Sequence, residues 1–549
     1  MFNRVLNSKT KTIYSAAFVL AASALISQIL GFFRDNLLAN IIPKEKTDIY
    51  FAAFRIPDFV YGILITGGII AAFLPVFAEY FRKNKEDAYK LTNNVLFVFL
   101  FFLVVICLLL AIFTPSFIKF IVPGFTSQQR AETIVLMRIL FLSPILLGVS
   151  AIFSSILQYF DLFFAYSLAP IFYNLGIIFG ILVFWPIFGI SGLGFGVILG
   201  ALLHLFIQIL PVFRLGYRPK FSFKIFHPGL QKIFKLMTPR IFSSIANHLN
   251  LIFITIIASG LAAGSITVFN FANNLALVPM SLIGLSFATA IFPSLSRSFA
   301  GKNGKELFEK FFSVFSQILF LIIPFSFLMF FLRAQIVRLV LGTAIIKNGG
   351  FGWQATRLTA ASLGILAIPL FAMTLIPLLI RTFFSLQNTK TPFKIAVFSV
   401  SLNIFFCFYF VWLIKNFTAF SNLINQTLKL EGISDISVIS LPIAIAISSI
   451  VQFFLLVFYL KKDLPEFKLS LFLKPFNKIL LASILMSVLV WFSLRISFFL
   501  NLKTFAGVFI QTFFALAIGV SSYLYFSYRF KIKEAKLIVG KLFQRKGSL

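Results

Sequence analysis

Long apolar runs alternate with short polar connections along the whole chain, and this alternation is its most regular feature. Many of the runs reach about 20 residues, the length that an α-helix needs to cross the hydrocarbon core of a bilayer. A helix satisfies its backbone hydrogen bonds internally, as a segment surrounded by lipid must. The pattern therefore predicts an all-α integral membrane protein.

The runs divide into fourteen predicted transmembrane helices, each bounded by charged or polar residues. The predicted spans are Ile13–Leu38, Asp48–Phe81, Leu91–Phe120, Ala131–Phe160, Phe163–Phe188, Ile190–Phe213, Phe234–Leu261, Ser265–Ser294, Leu307–Leu332, Thr359–Ile380, Pro392–Ile414, Ser437–Leu460, Ile479–Leu500 and Phe505–Tyr528.

The cations in the connections support this count, because their number alternates from one side of the membrane to the other. Cations at a span edge, such as Lys235, Lys310 and Lys394, are counted with the nearer side. On this basis, 32 of the 48 Lys and Arg residues fall on the side that holds both termini, 11 on the opposite side and five within spans. Cytoplasmic connections carry the excess of Lys and Arg, so both termini are predicted to be cytoplasmic. This topology accounts for the net charge of +32, and we expect no nucleic-acid partner.

Composition agrees with a membrane protein and offers few reactive groups. Hydrophobic residues make up 60% of the chain and charged residues 12%, against about 25% charged in soluble domains. Cys107 and Cys407 lie within apolar runs, where we expect small core residues without a disulfide. The three histidines, His204, His227 and His248, lack ligand spacing, and we predict neither metal nor cofactor. The first run is too long for the apolar region of a cleavable signal peptide.

Two pairs of segments indicate an internal repeat. The stretch "AAFLPVFAEYF" (71–81) aligns with "TAIFPSLSRSF" (289–299) at an offset of 218, and the Leu-Gln pair at 157–158, with Asn174, aligns with 386–387 and Asn403 at an offset of 229. Each pairing joins spans six apart, which predicts a parallel repeat of two six-helix lobes with a binding cavity between them, as in transporters. The predicted divisions are 1–222, 223–462, and 463–549 for two additional helices and a basic tail.

Apart from the span-edge cations already assigned to a side, five cations lie within the predicted spans: Arg34, Arg55, Lys119, Arg138 and Arg240. Lys119 is near a span end, where its side chain reaches the interface. Arg138 either reaches the interface in the same way as Lys119 or has a functional role. Arg240 is either an anchor to the lipid headgroups or a residue of the cavity.

Arg34 and Arg55 lie deeper, where a charge costs about 2.5–3.5 kcal/mol and faces a bundle interior or a wet cavity. One interpretation is an internal salt bridge of either arginine with Asp35, Asp48 or Asp58. The other is anion capture, because a guanidinium fork matches phosphate oxygens with two hydrogen bonds.

The motifs around these charges resemble a known family. "SQILGFFRDNLLA" (27–39), "TDIYFAAFRIPDF" (47–59) and "AAFLPVFAEYF" (71–81) resemble the start of the MurJ (MviN) family of lipid II flippases, within the multidrug/oligosaccharidyl-lipid/polysaccharide exporter superfamily. "FPSLSRSFA" (292–300) and "RTFFSLQNTKTPFKIA" (381–396) are similar to its later motifs. The resemblance covers about 460 residues in order.

The resemblance implies a function and a mechanism. The family moves undecaprenyl-diphosphate-linked peptidoglycan precursor from the inner to the outer leaflet of the bacterial cytoplasmic membrane by alternating access. Cavity arginines bind the diphosphate, and the last two helices form a groove for the lipid tail. By this resemblance we expect a lipid-linked diphosphate glycan and membrane lipids as partners, a monomer, and no enzymatic activity.

Carried onto this chain, the family's site includes Arg34, Asp35 and Asp48. Three positions that are cationic in the family are neutral here, at Gln28, Tyr61 and Asn274, and the family's Glu-Gly pair is replaced by 66–67. Arg55 and Arg240 would compensate if they reach the same cavity. We expect Arg34 to hold the diphosphate, with Gly31 letting the helix bend and Asp35 facing another helix or the backbone.

Three other functions remain open at this point. A different transporter of the superfamily would export another polyprenyl-linked glycan or a small amphiphile, and a drug exporter would depend on cavity carboxylates instead of Arg34. A membrane glycosyltransferase would need an acidic pair in an outer loop, where the first loop offers Glu45 and Asp48. A family member that has lost transport would act as a scaffold.

Overall fold

The computed structural model describes residues 13–301, 303–342, 351–464, 469–496, 501–502 and 504–536, and helices occupy nearly all of them. No strand occurs in these ranges. The chain forms two compact units, one up to Thr267 and one from Val268 onward.

The first unit contains the first seven helical segments, each at the position of a predicted span. They are Ile13–Ile41; Lys44–Val60, Tyr61–Ile69 and Ile70–Lys83, which together make the second; Lys85–Ile121; Ser127–Leu140 and Leu142–Tyr159; Phe163–Phe179, Gly180–Phe184 and Trp185–Phe188; Ile190–Arg214; and Pro228–Ser259.

The second unit contains most of the eighth segment and the six that follow. They are Ser265–Pro279, Met280–Leu285 and Ser286–Ala300, which together make the eighth; Gly304–Leu341; Trp353–Ala367 and Leu370–Ser385; Lys390–Asn416; Ser437–Ile439 and Ser440–Asp463; Leu469–Ile496; and Phe505–Arg529. The two parts of the tenth meet at Pro369 with a bend of 50°, because proline interrupts the hydrogen-bond ladder of a helix.

The predicted helical membrane fold is confirmed. Ten helices of the described residues are long and apolar enough to cross a membrane, and the bent pair makes an eleventh. The other three predicted spans, the first, second and seventh, are also helical. Cys107 and Cys407 are buried and free, as their positions in apolar runs predict.

The second and eighth spans share an unusual backbone feature. The second contains a π-helix at Tyr61–Ile69 and the eighth one at Met280–Leu285. Adding the offset of 218 places Tyr61–Ile69 on residues 279–287, which include the second π-helix. π-Helices are rare and often mark functional sites, so their matching positions support the internal repeat.

The compact units and the predicted lobes divide the chain at different places. The seventh span, Pro228–Ser259, packs on the π-helix of the second span and belongs to the first unit, whereas the repeat assigns it to the second lobe. The compact units therefore do not test the predicted division into two repeated six-helix lobes and two additional helices. That division remains a prediction.

One helix outside the predicted spans lies in the connection between the eleventh and twelfth. Thr418–Leu428 ends where Lys429 adopts a left-handed conformation, with φ of 57°. Arg357 holds the end of this helix by donating to the backbone carbonyls of Lys429 and Glu431. Sequence analysis missed this helix because it is short and lies outside the membrane spans.

Facing glycines bring the fifth and sixth spans into backbone contact. A Cβ atom added to Gly196 would lie 2.5 Å from the Cα of Gly180, and one added to Gly176 would lie 2.3 Å from the Cα of Gly200. Small residues allow such close approach between membrane helices.

We expect Gly196→Ala to destabilise the first unit, because the two backbones must separate to admit the new methyl group. Overpacking of this kind costs about 1–3 kcal/mol and should lower the melting temperature of the purified protein in detergent. Gly31→Ala is a matched control, since a Cβ there meets nothing within 4 Å. Equal melting temperatures for the two variants would contradict this interpretation of the contact.

Candidate functional site

Arg34 lies in the first helix and is held by two neighbours. Its Nε and Nη2 donate to Asp35 Oδ1 at 3.0 and 2.8 Å, and its Nη1 donates to Asn174 Oδ1 at 3.0 Å. Asn174, on the fifth span, in turn donates to the hydroxyl and carbonyl oxygens of Ser27. Of the five guanidinium N–H groups, two make no hydrogen bond to the described residues, and the side chain is 23% exposed.

Asp35 is predicted to face another helix or the backbone, and the structure adds a contact with Arg34 itself. Asp35 is buried, and its Oδ1 accepts both hydrogen bonds from the guanidinium of its neighbour. The arginine side chain is long enough for its guanidinium to reach the carboxylate of the next residue, so a separation of about 100° between adjacent residues does not keep the two charges apart. The internal salt bridge considered above is present for Arg34.

Arg55, on the second span, is more deeply buried than Arg34. Its side chain is 8% exposed, and its Nε donates to Thr255 Oγ1 at 2.6 Å. Thr255 lies on the seventh span, 200 residues away, so this contact was outside the reach of sequence analysis. Arg55 thus connects two helices of the first unit.

A cavity of about 300 Å³ lies within the first unit, and its lining includes neighbours of Arg55 in the sequence but neither arginine itself. The second, fourth, fifth and sixth spans enclose it. Its polar lining comprises Asp58, Tyr61, Ser143, Tyr173 and His204, and its apolar lining comprises Phe54, Pro57, Pro144, Leu147 and Pro170.

Electrostatic interactions join the cavity to the arginines. Asp58 interacts with Arg55 and Arg34, and Tyr173 interacts with Asp58 and Arg34. Asn174, which receives a hydrogen bond from Arg34, is adjacent in sequence to Tyr173 of the cavity wall. The first unit therefore contains a polar cluster in which two cations lie within electrostatic range of one cavity carboxylate, inside an apolar bundle.

Asp48 has a different environment from the other predicted site residues. It is buried, and its carboxylate accepts hydrogen bonds from Gly264 N at 2.6 Å, Thr267 N at 2.8 Å and Thr267 Oγ1 at 2.6 Å. These donors lie at the start of the helix Ser265–Pro279, whose N-terminal N–H groups favour an anion. Both carboxylate oxygens of Asp48 are occupied in capping this helix.

The remaining predicted site residues are dispersed. Tyr61 lines the cavity, whereas Gln28 is half-buried on the first helix and is not in the cavity lining. Asn274 lies on the eighth span in the second unit. Arg240 belongs to the helix Pro228–Ser259, but its side chain lies outside the described residues.

The cavity as a unit is not predictable from the sequence pattern. The sequence identifies Asp58 only as a possible salt-bridge partner, and His204 shows no ligand spacing. Tyr173 and Ser143 carry no motif at all. The available signal was the presence of Asp58 and His204 inside apolar runs, since ionisable residues within membrane spans face the interior of a bundle.

The cluster offers ion pairing and hydrogen bonding. Within the described residues, no three His, Cys, Asp or Glu side chains form a group that would hold a metal ion. Arg34 has donors left for an anion, and the cavity beside it presents one carboxylate, one imidazole and two phenols.

Comparison with known proteins finds relatives over most of the chain. The family model described as "Lipid II flippase MurJ" matches residues 44–506. A protein of Buchnera aphidicola subsp. Schizaphis graminum, named "Probable lipid II flippase MurJ", is 29% identical over 537 residues, or 95% of this chain and 97% of its own length. A protein of Burkholderia cenocepacia named "Lipid II flippase MurJ" is 25% identical over 70% of this chain and 76% of its own.

Two solved structures share the fold. One, titled "Lipid II flippase MurJ, inward closed conformation", has a TM-score of 0.72 and 24% identity, covering 93% of this chain and 98% of its own. An inward-facing multidrug transporter of the MATE family, from the MOP superfamily, has a TM-score of 0.62 and 14% identity, covering 82% of this chain and all of its own. At these identities the likeness concerns the fold alone.

Proposed function

This chain belongs to the MurJ family of lipid II flippases, and from that membership we propose that it moves undecaprenyl-diphosphate-linked peptidoglycan precursor from the inner to the outer leaflet by alternating access. The observation that carries the proposal is the match of the family model to residues 44–506. This range contains the cavity and thirteen of the fourteen helical segments in whole or in part. The family membership places the chain among transporters, and we assign it no enzymatic step.

We propose that Arg34 binds the diphosphate. Its two remaining N–H groups and its partial exposure leave room for phosphate oxygens beside the existing contacts with Asp35 and Asn174. A guanidinium in a shielded site makes strong charge-assisted hydrogen bonds to phosphate. Asp35 and Asn174 hold the guanidinium plane in place and reduce the conformational entropy lost when the substrate binds.

The other residues of the predicted site take supporting parts in this proposal. Arg55 contributes positive charge from its buried position beside Thr255, and Tyr61 contributes a hydroxyl at the cavity wall. Gln28, Asn274 and Arg240 remain predicted substrate contacts. Asp48 acts by holding the start of a helix, as its three hydrogen bonds indicate.

The lipid tail has a candidate groove in the second unit. A cavity of about 380 Å³ is lined by Phe327 and Phe331 of the ninth span and by Ile484, Ser487, Val488, Trp491 and Phe492 of the thirteenth. The resemblance places the groove between the last two helices, whereas the fourteenth helix does not contribute to this lining. We propose that the polyprenyl chain lies along the ninth and thirteenth spans.

We propose that the protein is a monomer of the bacterial cytoplasmic membrane with both termini in the cytoplasm. The excess of Lys and Arg on the terminal side supports this orientation. An inside-negative potential then favours outward movement of the anionic headgroup, by about 2.3 kcal/mol per charge per 100 mV.

Cysteine labelling tests the orientation. We expect a membrane-impermeant thiol reagent outside the cell to label Ala263→Cys, in an exposed outer connection, and to leave Lys305→Cys unlabelled. Ser265, the first residue of the following helix, is only 5% exposed and makes a poor site. The natural cysteines are buried and give a low background. The reverse labelling pattern would contradict the fourteen-span topology.

Complementation tests the function itself. In a bacterium depleted of its own flippase, expression of this chain should restore growth and prevent accumulation of the lipid-linked precursor in the inner leaflet. A chain that is inserted at normal abundance, yet leaves the precursor level unchanged, would contradict lipid II transport.

A further inference from the structure

Asp58 is the single carboxylate in the cavity lining of the first unit, and it is free. It makes neither a hydrogen bond nor an ion pair to any part of the chain that the structure describes, although Arg55 and Arg34 act on it electrostatically. A carboxylate inside a membrane bundle is costly to maintain and usually marks an ion or proton pathway. The proposed binding of a diphosphate by Arg34 does not use it.

His204 connects this cavity to a buried polar chain. Its ring lines the cavity, and its Nδ1 lies 2.7 Å from Ser150 Oγ. Gln208 Nε2 donates to Ser150 Oγ at 2.9 Å, and Ser154 Oγ donates to Gln208 Oε1 at 2.7 Å. In the proposed topology the fourth and sixth spans both run inward, so this chain extends from the cavity toward the cytoplasm.

We propose that Asp58 is a proton-binding site and that His204 connects it to the cytoplasmic side, so that a proton enters the cavity when a lipid-linked diphosphate binds. The proton comes from a hydronium ion on the cytoplasmic side, whose O–H bond breaks and leaves water as a new O–H bond forms with a carboxylate oxygen of Asp58. This inference rests on the function proposed above and adds a protonation step that is linked to substrate binding.

The diphosphate and the Asp58 carboxylate compete for the same two arginines, and this competition couples substrate binding to the protonation of Asp58. In the empty protein, Arg34 and Arg55 supply the positive charge that stabilises the Asp58 carboxylate. A doubly charged diphosphate takes over that charge and repels the carboxylate, which favours the neutral, protonated form of Asp58. Linkage between two binding sites is reciprocal. Protonation of Asp58 must therefore raise the affinity for the diphosphate by the same factor by which the diphosphate raises the proton affinity of Asp58.

The groups around Asp58 are consistent with this assignment. The cations near Asp58 are Arg34 on the first span and Arg55 on the second. The titratable side chains that share the cavity lining with Asp58 are Tyr61 on the second span, Tyr173 on the fifth and His204 on the sixth. The fourth span contributes the neutral Ser143 to this lining. The seventh span contributes His248, which interacts with Arg55. The nearby carboxylate of Asp35 is already paired with Arg34, which leaves Asp58 as the free proton acceptor.

Calorimetry on the full-length purified protein tests the proposal, with a farnesyl-chain lipid II analogue as the probe. Titrations in buffers of different ionisation enthalpy give the number of protons taken up on binding. We expect uptake approaching one proton, and an affinity that falls by up to about tenfold per pH unit as the pH rises through the titration of Asp58.

Asp58→Asn mimics the protonated form and gives the decisive comparison. We expect it to take up no proton and to bind the analogue at about pH 8 as tightly as the natural protein does at about pH 6. Asp87→Asn, at an exposed position paired with Lys90, is the matched control and should behave as the natural protein. Asp58→Glu keeps a titrating carboxylate and should retain proton uptake.

His204→Gln tests the proposed role of His204 in proton transfer separately from the proton-binding role of Asp58. It should leave the number of protons unchanged but slow their uptake in a stopped-flow experiment with a pH indicator, because the route from the cytoplasm is interrupted.

Tight binding without proton uptake by the natural protein, or unchanged uptake in Asp58→Asn, would overturn the proton site while leaving lipid II transport intact. Absence of analogue binding at every pH would contradict the proposed function and the linkage with it.

Discussion

Alanine in place of Arg34 is expected to abolish flipping even when the buried Asp35 is neutralised at the same time. Loss of a charge-assisted contact in a shielded site costs about 2–5 kcal/mol in binding, which corresponds to at least about a thirty-fold loss of transport. The measurement is precursor flipping in proteoliposomes, normalised to the amount of folded protein.

The test neutralises Asp35 as well because Asp35 forms an ion pair with Arg34 in the structure. Arg34→Ala alone leaves Asp35 buried without its counter-ion, and breaking a buried pair in this way destabilises a protein by about 3–5 kcal/mol. The double variant Arg34→Ala/Asp35→Asn removes that cost. We expect it to reach normal abundance and to remain inactive.

Arg34→Lys gives the graded comparison. Lysine keeps a positive charge for Asp35 and for the diphosphate but loses the planar fork, so partial transport is expected. If the double variant were instead fully active, the salt bridge between Arg34 and Asp35 would be purely structural and the diphosphate site would lie elsewhere.

Deletion of the chain from Lys474 onward is expected to leave a twelve-helix core in the membrane that no longer transports. The deletion removes the thirteenth-span wall of the apolar groove, which includes Ile484, Ser487 and Trp491. Each methylene group that loses its apolar site costs about 0.8 kcal/mol, so losing only a few reduces transport severely. Full transport by the truncated chain would remove the groove from the mechanism.

A point variant separates the groove from the stability of the unit, because the deleted helices also pack on the ninth span, where Tyr523 donates to the Phe320 carbonyl. Ser487→Phe fills the groove without removing a helix, and we expect at least about a tenfold loss of flipping at normal abundance. Leu489→Phe, on the same helix with 40% of its side chain exposed, is the matched control and should remain active.

The number and positions of the membrane helices followed from the sequence because they depend on local hydrophobicity. A span must be apolar over its whole length wherever it lies in the bundle, so the apolar runs marked all fourteen positions. The aligned segments around Ala72 and Ala290 likewise indicated a repeat, which the matching π-helices support. The motif around Arg34 was sufficient to suggest the family that the comparisons confirm.

The partners of the charged residues required the tertiary structure. Arg34 meets Asn174 across 140 residues, Arg55 meets Thr255 across 200, and Asp48 meets Thr267 across 219. Helices that are apolar on every side carry no periodic stripe to show which face is buried. Sequence analysis therefore located the charges in the membrane without showing which helix each would face.

The sequence by itself determined the class of protein, the span positions, the predicted sidedness and the family, because these depend on composition along one segment at a time. Only the tertiary structure decided that Asp35 pairs with Arg34, that Asp48 caps a distant helix, and that Asp58 and His204 share a cavity. The physical reason is that these contacts depend on how each helix is rotated and where its neighbour approaches. Packing between helices sets both, through features such as the facing glycines of the fifth and sixth spans.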